Sequence, residues 1–440
     1  MARIARALAV LPLCLLLLSP GSIAAQAGVP GSDTPCPSDL PDASQMDVID
    51  AHAHITPQVS VPQVIAHMNA AGVSVVNLYG TGAAATAPYP GRFITFVDTP
   101  DGPPPTGWVQ RGQAFVTQAD ADLSTGRYSG IGETNLRYYR SPDHGPRPDI
   151  SVAPDNPIWL QLVNLAARYH VPISFHWVPD DPAANAGFDT MLGANADATM
   201  IWAHLGFSEW PLDKGMLTDY LLRHPNLYLD TATLHQMRND PPRLGANWWV
   251  LADRASGRST DEWRQFFETW NSRILVGTDA GGGSESLERW QNYAENASSR
   301  VPGNTIGQWR RLLSNLDRNA AQNILGGNAR RLLLKEPTAP YRYAARAGGE
   351  CVSVTIRSES SVSRPLLDAR ARSIGFTVAS SSATAGAAEV TVPASLIGAS
   401  FSLTVDGQGI DAQSSSDGAI MTVTLHYPGG VHAIVITARE

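Results

Sequence analysis

Eight short runs of β-branched and apolar residues recur between Met46 and Ala280: MDVIDAHAHI, VSVVNLYG, RFITFVDT, YSGIGETNL, VPISFHWV, TMIWAHLG, NLYLDTAT and RILVGTDA. Amphipathic segments such as NPIWLQLVNLAARYH (156–170) and LTDYLLRHP (217–225) lie between most of them. Strands that are apolar on both faces and alternate with helices belong to a parallel sheet covered by helices. Eight such units predict an α/β fold, a (β/α)8 TIM-like barrel over residues 46–340. An open doubly wound sheet is the alternative, and no glycine-rich nucleotide fingerprint follows the first run to favour it. Inserts at 100–110, 137–155 and 233–260, rich in Pro, Gly, Arg and Trp, interrupt the rhythm. Two of them follow strands directly and would shape a pocket at the barrel's C-terminal end.

The two ends of the chain read differently. Arg3 and Arg6 precede an apolar stretch from Ala7 to Leu18, and SIAAQA supplies small residues suited to cleavage, so residues 1–27 read as a signal peptide. The stretch is shorter than the roughly 20 residues that span a bilayer, which argues against an anchor and for a secreted or periplasmic protein without stable membrane insertion. Residues 28–45 form an extended N-terminal arm rich in Pro, Ser and Asp. From about Ala345 helical spacing stops, and alternating runs such as CVSVTIRSES, IGFTVASSS and MTVTLHYPG predict a small all-β sandwich over 345–440. Cys14 lies in the leader, which leaves Cys36 and Cys351 as a pair expected to be bridged in an oxidising compartment. The net charge of −8 and the lack of any Lys/Arg run argue against nucleic acid as a partner. A small-molecule substrate remains.

Residues that ligate metals recur at the ends of the runs. His52 and His54, two apart on an extended strand, point to one side at its C-terminal end. Glu133, His176, His204 and Asp279 close later runs in the same way. An unpaired ionisable group at the end of a buried strand costs several kcal/mol, and convergence on a divalent metal removes that conflict. Imidazoles and carboxylates together suit zinc. Substrate contacts are expected from Arg137 in an insert, Trp177 beside His176, and Asp230 and His235 at and beyond the seventh run. The alternatives are packing for Trp177 and a structural hydrogen bond for Asp230.

Taken in order, IDAHAHI, GIGE, FHW, AHLG, NLYLDT, GTDA and the closing NILGGNARRLLL resemble the amidohydrolase superfamily, in its amidohydrolase-related branch of metal-dependent hydrolases. The resemblance runs from about Asp47 to Leu334 and implies a barrel with metal ligands at His52, His54, His176 and Asp279. It implies that His204 is either a ligand of a second ion or a proton-transfer residue. The carbamylated lysine that bridges two metals in many members has no counterpart, since the chain holds only Lys214 and Lys335 and neither ends a predicted strand. Glu133 either bridges instead or orients a histidine from behind, so one or two ions per chain are expected. The activity expected is hydrolysis of an ester, lactone or amide by metal-activated water, with Asp279 accepting the proton. Non-oxidative decarboxylation of a small carboxylic acid is the alternative, with Arg137, Arg140 or Arg238 as the carboxylate clamp; a secreted binding protein on an inactive barrel is a third reading. The C-terminal region is similar to accessory β-domains of secreted and cell-surface prokaryotic proteins, which implies a spacer or a contact with the cell surface. Because every expected ligand precedes Ala280, that region is expected to be dispensable for the site.

Overall fold

The computed structural model describes Cys36, Asp42 and residues 45–100, 107–138, 150–178, 182–206, 213–232, 248–282, 286–295, 304–347, 350–381 and 385–439. The leader expected at 1–27, nearly all of the arm, Arg140, Arg238 and His235 lie outside the described residues.

The fold is mixed α/β, with parallel sheets first and an antiparallel region after them. Strands β1 (Val48–His54), β2 (Val73–Tyr79) and β3 (Phe93–Ile94) form one parallel sheet. Strands β4 (Ile131–Tyr138), β5 (Ile150–Ser151), β6 (Ile173–Trp177), β7 (Met200–Trp202), β8 (Leu227–Asp230) and β9 (Ile274–Leu275) form a second, in the order β5-β4-β6-β7-β8-β9. All of its pairs are parallel except β4 with β5. Each of the eight runs read from the sequence contributes a strand, but β3 and β9 are only two residues long. Beyond them the chain continues as single parallel bridges, Val97 to Ile131 and Ala53 to Ala280, which join the two sheets at both edges.

Burial follows the alternation of the strands. Ile49, Ala51, Val75, Tyr79, Ile94, Phe96, Ile201, Tyr228 and Leu275 pack into one apolar cluster drawn from both sheets. Ala329, Leu332 and Leu333 from the helix Asn328–Leu333 pack against the same cluster. On the other side of the strands lie amphipathic helices. Helix Pro157–Arg168 starts where Asn156 accepts hydrogen bonds from the backbone N–H of Ile158 (2.9 Å) and Trp159 (3.3 Å), and it buries Trp159, Leu162, Val163 and Ala166.

The antiparallel region begins at Tyr341, four residues before the position expected from the composition change. Its strands are β10 (Tyr341–Ala347), β11 (Glu350–Arg357), β12 (Ser361–Val362), β13 (Leu366–Asp368), β14 (Ser373–Ser380), β15 (Gly386–Pro393), β16 (Phe401–Val405), β17 (Gln408–Gly409), β18 (Gln413–Ser416), β19 (Ile420–Tyr427) and β20 (Gly430–Ala438). One sheet runs β10-β11-β15-β19-β18; the other runs β12-β14-β20-β16-β17 with β13 beside β14. The two sheets enclose a shared apolar cluster that includes Tyr343, Val354, Val390 and Val423 from one and Phe376, Val378, Leu403 and Ile436 from the other.

The two regions share a buried polar joint. Arg364 donates to the Tyr343 hydroxyl, its guanidinium lies 3.7 Å from Glu268 Oε2, and its backbone N–H donates to the Glu268 carbonyl at 3.1 Å. The Tyr341 hydroxyl reaches both carboxylate oxygens of Asp317, at 2.9 and 2.8 Å. Ala379 and Val431, on the outer side of the second antiparallel sheet, belong to the apolar cluster of the parallel region. Cys36 and Cys351 are joined in a disulfide, and Cys36 N–H also donates to Ala344 O at 3.0 Å. Among the described residues, no helix is long and apolar enough to cross a membrane.

Candidate metal centre

Two irregularities in the strands place the site. The register of β1 against β2 slips between Asp50 and Ala53, and that of β4 against β6 slips between Ile131 and Thr134. An extra residue on one strand re-aims the side chains beside it. The first slip carries His52, and the second carries Glu133. Gly132, at φ 131°, precedes Glu133, and a Cβ there would lie 2.5 Å from the Ser174 carbonyl oxygen. Asp279 follows β9 in the left-handed region at φ 55°, with its N–H donating to His52 O at 2.8 Å. Its turn closes through Gly281, where a Cβ would meet His54 O at 2.0 Å.

The six residues expected as ligands converge. His52 Nε2 lies 3.1 Å from His54 Nε2 and 3.3 Å from Glu133 Oε2, and His54 Nε2 lies 3.2 Å from Asp279 Oδ1. His204 Nε2 is 3.1 Å from Glu133 Oε1, and His176 Nδ1 is 3.5 Å from the same oxygen. They fall into two groups that could each hold an ion, His52 with His54 and Asp279, and Glu133 with His176 and His204, the donor atoms of each group lying within 4.8 Å of one another. Glu133 sits between them, with Oε2 towards the first group and Oε1 towards the second.

The surroundings prepare these groups for a cation. Asp230 Oδ2 accepts from His52 Nδ1 at 2.9 Å, which leaves Nε2 as the ring nitrogen that faces the site. Burial alone would depress the His52 pKa, but Asp230 and Glu133 outweigh it and hold it well above the ordinary histidine value. Burial likewise opposes charge on Glu133, yet His52, His176 and His204 hold its carboxyl well below the usual range. The chemistry of the donors, imidazole nitrogens and carboxylate oxygens in a pocket that favours positive charge, fits a divalent metal ion.

Of the residues expected to contact substrate, Trp177 and Arg137 stack with each other, and Asp230 lies behind His52. Trp177 is 2% exposed and stacks on Phe188 of the helix Pro182–Gly193 with ring centroids 5.5 Å apart. It follows His176 on the strand, so alternation turns it outwards. Arg137 lies over that outward ring, 5.8 Å from its centroid. Asp230 is 1% exposed; besides His52 it accepts from the backbone N–H of His204 and Ala232, both at 3.0 Å. It lies behind His52 and His204, bonded to the ring of the first and the backbone of the second.

Other groups of the site went unread in the sequence. Asp50 accepts from His52 N–H (3.1 Å), Thr278 N–H (3.0 Å), the Thr278 hydroxyl (2.6 Å) and the Tyr293 hydroxyl (2.8 Å). Burial pushes its carboxyl up to about 6 against those bonds. Arg289, 5% exposed, donates from Nη1 to Asp279 Oδ2. Asp50 stood in the quoted IDAHAHI run and had a signal; Arg289 had none.

No family model matches the chain, and no curated protein matches it. Among solved structures it is similar to an amidohydrolase from Burkholderia multivorans with bound zinc, at 10% identity and a TM-score of 0.38 over 65% of this chain and 99% of that one. It is also similar to amidohydrolase 2 from Bifidobacterium longum subsp. infantis, at 14% identity and a TM-score of 0.32 over 66% of this chain and 99% of that one. A family 30 subfamily 8 xylanase from Clostridium acetobutylicum matches at 10% identity and a TM-score of 0.35 over 91% of this chain and 99% of that one.

Proposed function

We propose that this chain is a secreted or periplasmic metal-dependent hydrolase that cleaves an ester, lactone or amide bond of a small molecule. Its parallel strands form a (β/α)8 barrel over residues 46–340, followed by an antiparallel β-sandwich accessory domain. The bridges that join the two parallel sheets at both edges support the barrel reading. The observation that carries the functional reading is that two three-residue donor groups meet at Glu133, a member of one whose other oxygen faces His52 of the other. A divalent ion bound there, zinc being the one these donors suit, supplies Lewis acidity and lowers the pKa of water to about 7.

The chain's own residues supply the rest. His52, His54 and Asp279 would hold one ion, and Glu133, His176 and His204 could hold a second. Asp230 keeps the proton of His52 on Nδ1, so Nε2 stays a ligand. Asp279, whose Oδ1 faces the site, is the carboxylate that would accept a proton from water and return it to the leaving group.

Elemental analysis of the purified protein, with turnover of an ester, lactone, amide and aromatic acid panel in 18O-labelled water, tests the reading. Bound metal and one labelled oxygen in the product are expected. Carbon dioxide release without label would make the protein a decarboxylase, and a protein that takes up no metal and turns over nothing would reject catalysis.

A further inference from the structure

One short segment grips the site at three points. From the helix Ser286–Gln291 and the turn after it, Arg289 donates to Asp279 Oδ2 and to the Asp279 carbonyl (3.3 Å). Trp290 Nε1 donates to His54 O at 3.1 Å, and the Tyr293 hydroxyl donates to Asp50 Oδ2 at 2.8 Å. Trp290 and Tyr293 hold backbone and a supporting carboxylate. Arg289 differs from them, because it holds an oxygen of a candidate ligand itself, and both partners are buried, with side chains 5% and 10% exposed.

We infer that Arg289 is a positioning residue that reserves Asp279 Oδ2 and so makes Asp279 a one-oxygen metal ligand; the inference rests on the metal-dependent reading above. Oδ1 is left facing His54 Nε2 at 3.2 Å. A carboxylate free to turn would offer both oxygens to a divalent ion and fill a position that substrate or water needs. The guanidinium prevents this by engaging the second oxygen and the backbone carbonyl of the same residue, a two-acceptor grip that a lysine ammonium does not reproduce with the same direction. A fixed cation beside the ligand also repels the metal. Its presence therefore weakens metal binding while fixing geometry, opposite to what a residue that merely supports the fold would do.

That contrast sets the test. Metal-free wild type, Arg289→Gln and Arg289→Lys are titrated with zinc against a chromophoric chelator, their metal-free melting temperatures compared, and kcat and KM measured on the best panel substrate. Arg289→Gln is expected to bind zinc at least as tightly as wild type while kcat falls about 10- to 100-fold, the range for residues that orient metal ligands. Arg289→Lys, which keeps the charge, should not restore kcat. In zinc-loaded crystals Asp279 should touch the ion through Oδ1 alone in wild type and through both oxygens in Arg289→Gln. Zinc affinity falling in step with kcat in both variants, or full kcat in zinc-loaded Arg289→Gln, overturns the inference. If Arg289→Gln does not fold, Arg289→Lys is read by the same criteria. Wild type that takes up no zinc sinks the functional reading and this inference with it; zinc-binding wild type with an indifferent Arg289→Gln sinks this inference alone.

Discussion

Glu133 and Glu268 are both buried acids, their side chains 9% and 4% exposed, and they face opposite kinds of partner. Glu133 is ringed by the imidazoles of His52, His54, His176 and His204. Glu268 meets the guanidinium groups of Arg264, at 3.1 Å, and Arg364, and accepts the backbone N–H of Asp317 at 3.0 Å. A guanidinium only donates and never loses its proton; an imidazole offers either a proton or a lone pair. The cluster at the joint is thus closed by permanent cations. The imidazoles around Glu133 are all groups able to turn into ligands, and in that it differs from Glu268.

The sharpest way to break the comparison is to alter each cluster and look for the other's symptom. Asp279→Asn should cut turnover by several orders of magnitude, because the amide ligates weakly and takes no proton, while the unfolding midpoint of the metal-free protein should fall less than in Arg364→Met, since the amide oxygen can still accept from Arg289. A midpoint loss as large as that from damage at the joint would erase the distinction. Arg364→Met should leave metal content untouched and cost about 3 kcal/mol in urea unfolding, since it strips one cation from a buried carboxylate. Ending the chain before Tyr341 removes Arg364 and both tyrosines at once, and no soluble folded protein is expected. This reverses what the position of the ligands before Ala280 led one to expect. The ligands do precede the β region, but Glu268 and Asp317, which hold the helices behind the strands, depend on it.

Glu133→Gln comes next in size. With Oε1 and Oε2 facing different donor groups, the neutral amide should lose one of two ions and keep the other, counted by elemental analysis. An unchanged count would move Glu133 behind the ligands, into the role Asp230 plays for His52.

What was legible in the sequence follows from the range of each interaction. Strands apolar on both faces announce themselves, and an ionisable residue closing such a strand is conspicuous, so all six candidate ligands could be named. Which way a neighbour points was harder to read. Trp177 is turned outwards by alternation from His176, and Arg137 joins it because the register of β4 slips again between Asn135 and Arg137. The slips at His52 and Glu133 leave no mark in composition, because a bulge is set by the pairing of two strands. Arg289 against Asp279 and Arg364 against Glu268 are tertiary pairs without periodic pattern. The strand Tyr341–Ala347 was missed because YRYAARA has no β-branched residue.

The smallest effect probes the joint alone. Burial, with Glu268 adding to it, pushes the Asp317 carboxyl up to about 7 from an ordinary 3.8, against the Tyr341 hydroxyl, the Ala320 N–H and Arg364. Between those two values the folded chain holds a proton that the unfolded chain has released. Stability from this group is therefore complete below about pH 4 and is lost as the pH rises towards 7, at no more than about 1.4 kcal/mol per pH unit. Asp317→Asn imitates the protonated form. Its side-chain oxygen can still accept from the N–H groups of Asn319 and Ala320, both now at 3.0 Å, so the helix Arg318–Gln322 keeps its cap. Urea midpoints of metal-free protein from pH 4.5 to 8 should fall more steeply for wild type than for Asp317→Asn, with the variant the more stable above pH 7. The histidines and carboxylates at the strand ends titrate in both proteins, so the difference between the two curves belongs to Asp317. Parallel curves would mean that Asp317 is ionised in the folded chain throughout, with Arg364 and the helix cap holding its charge.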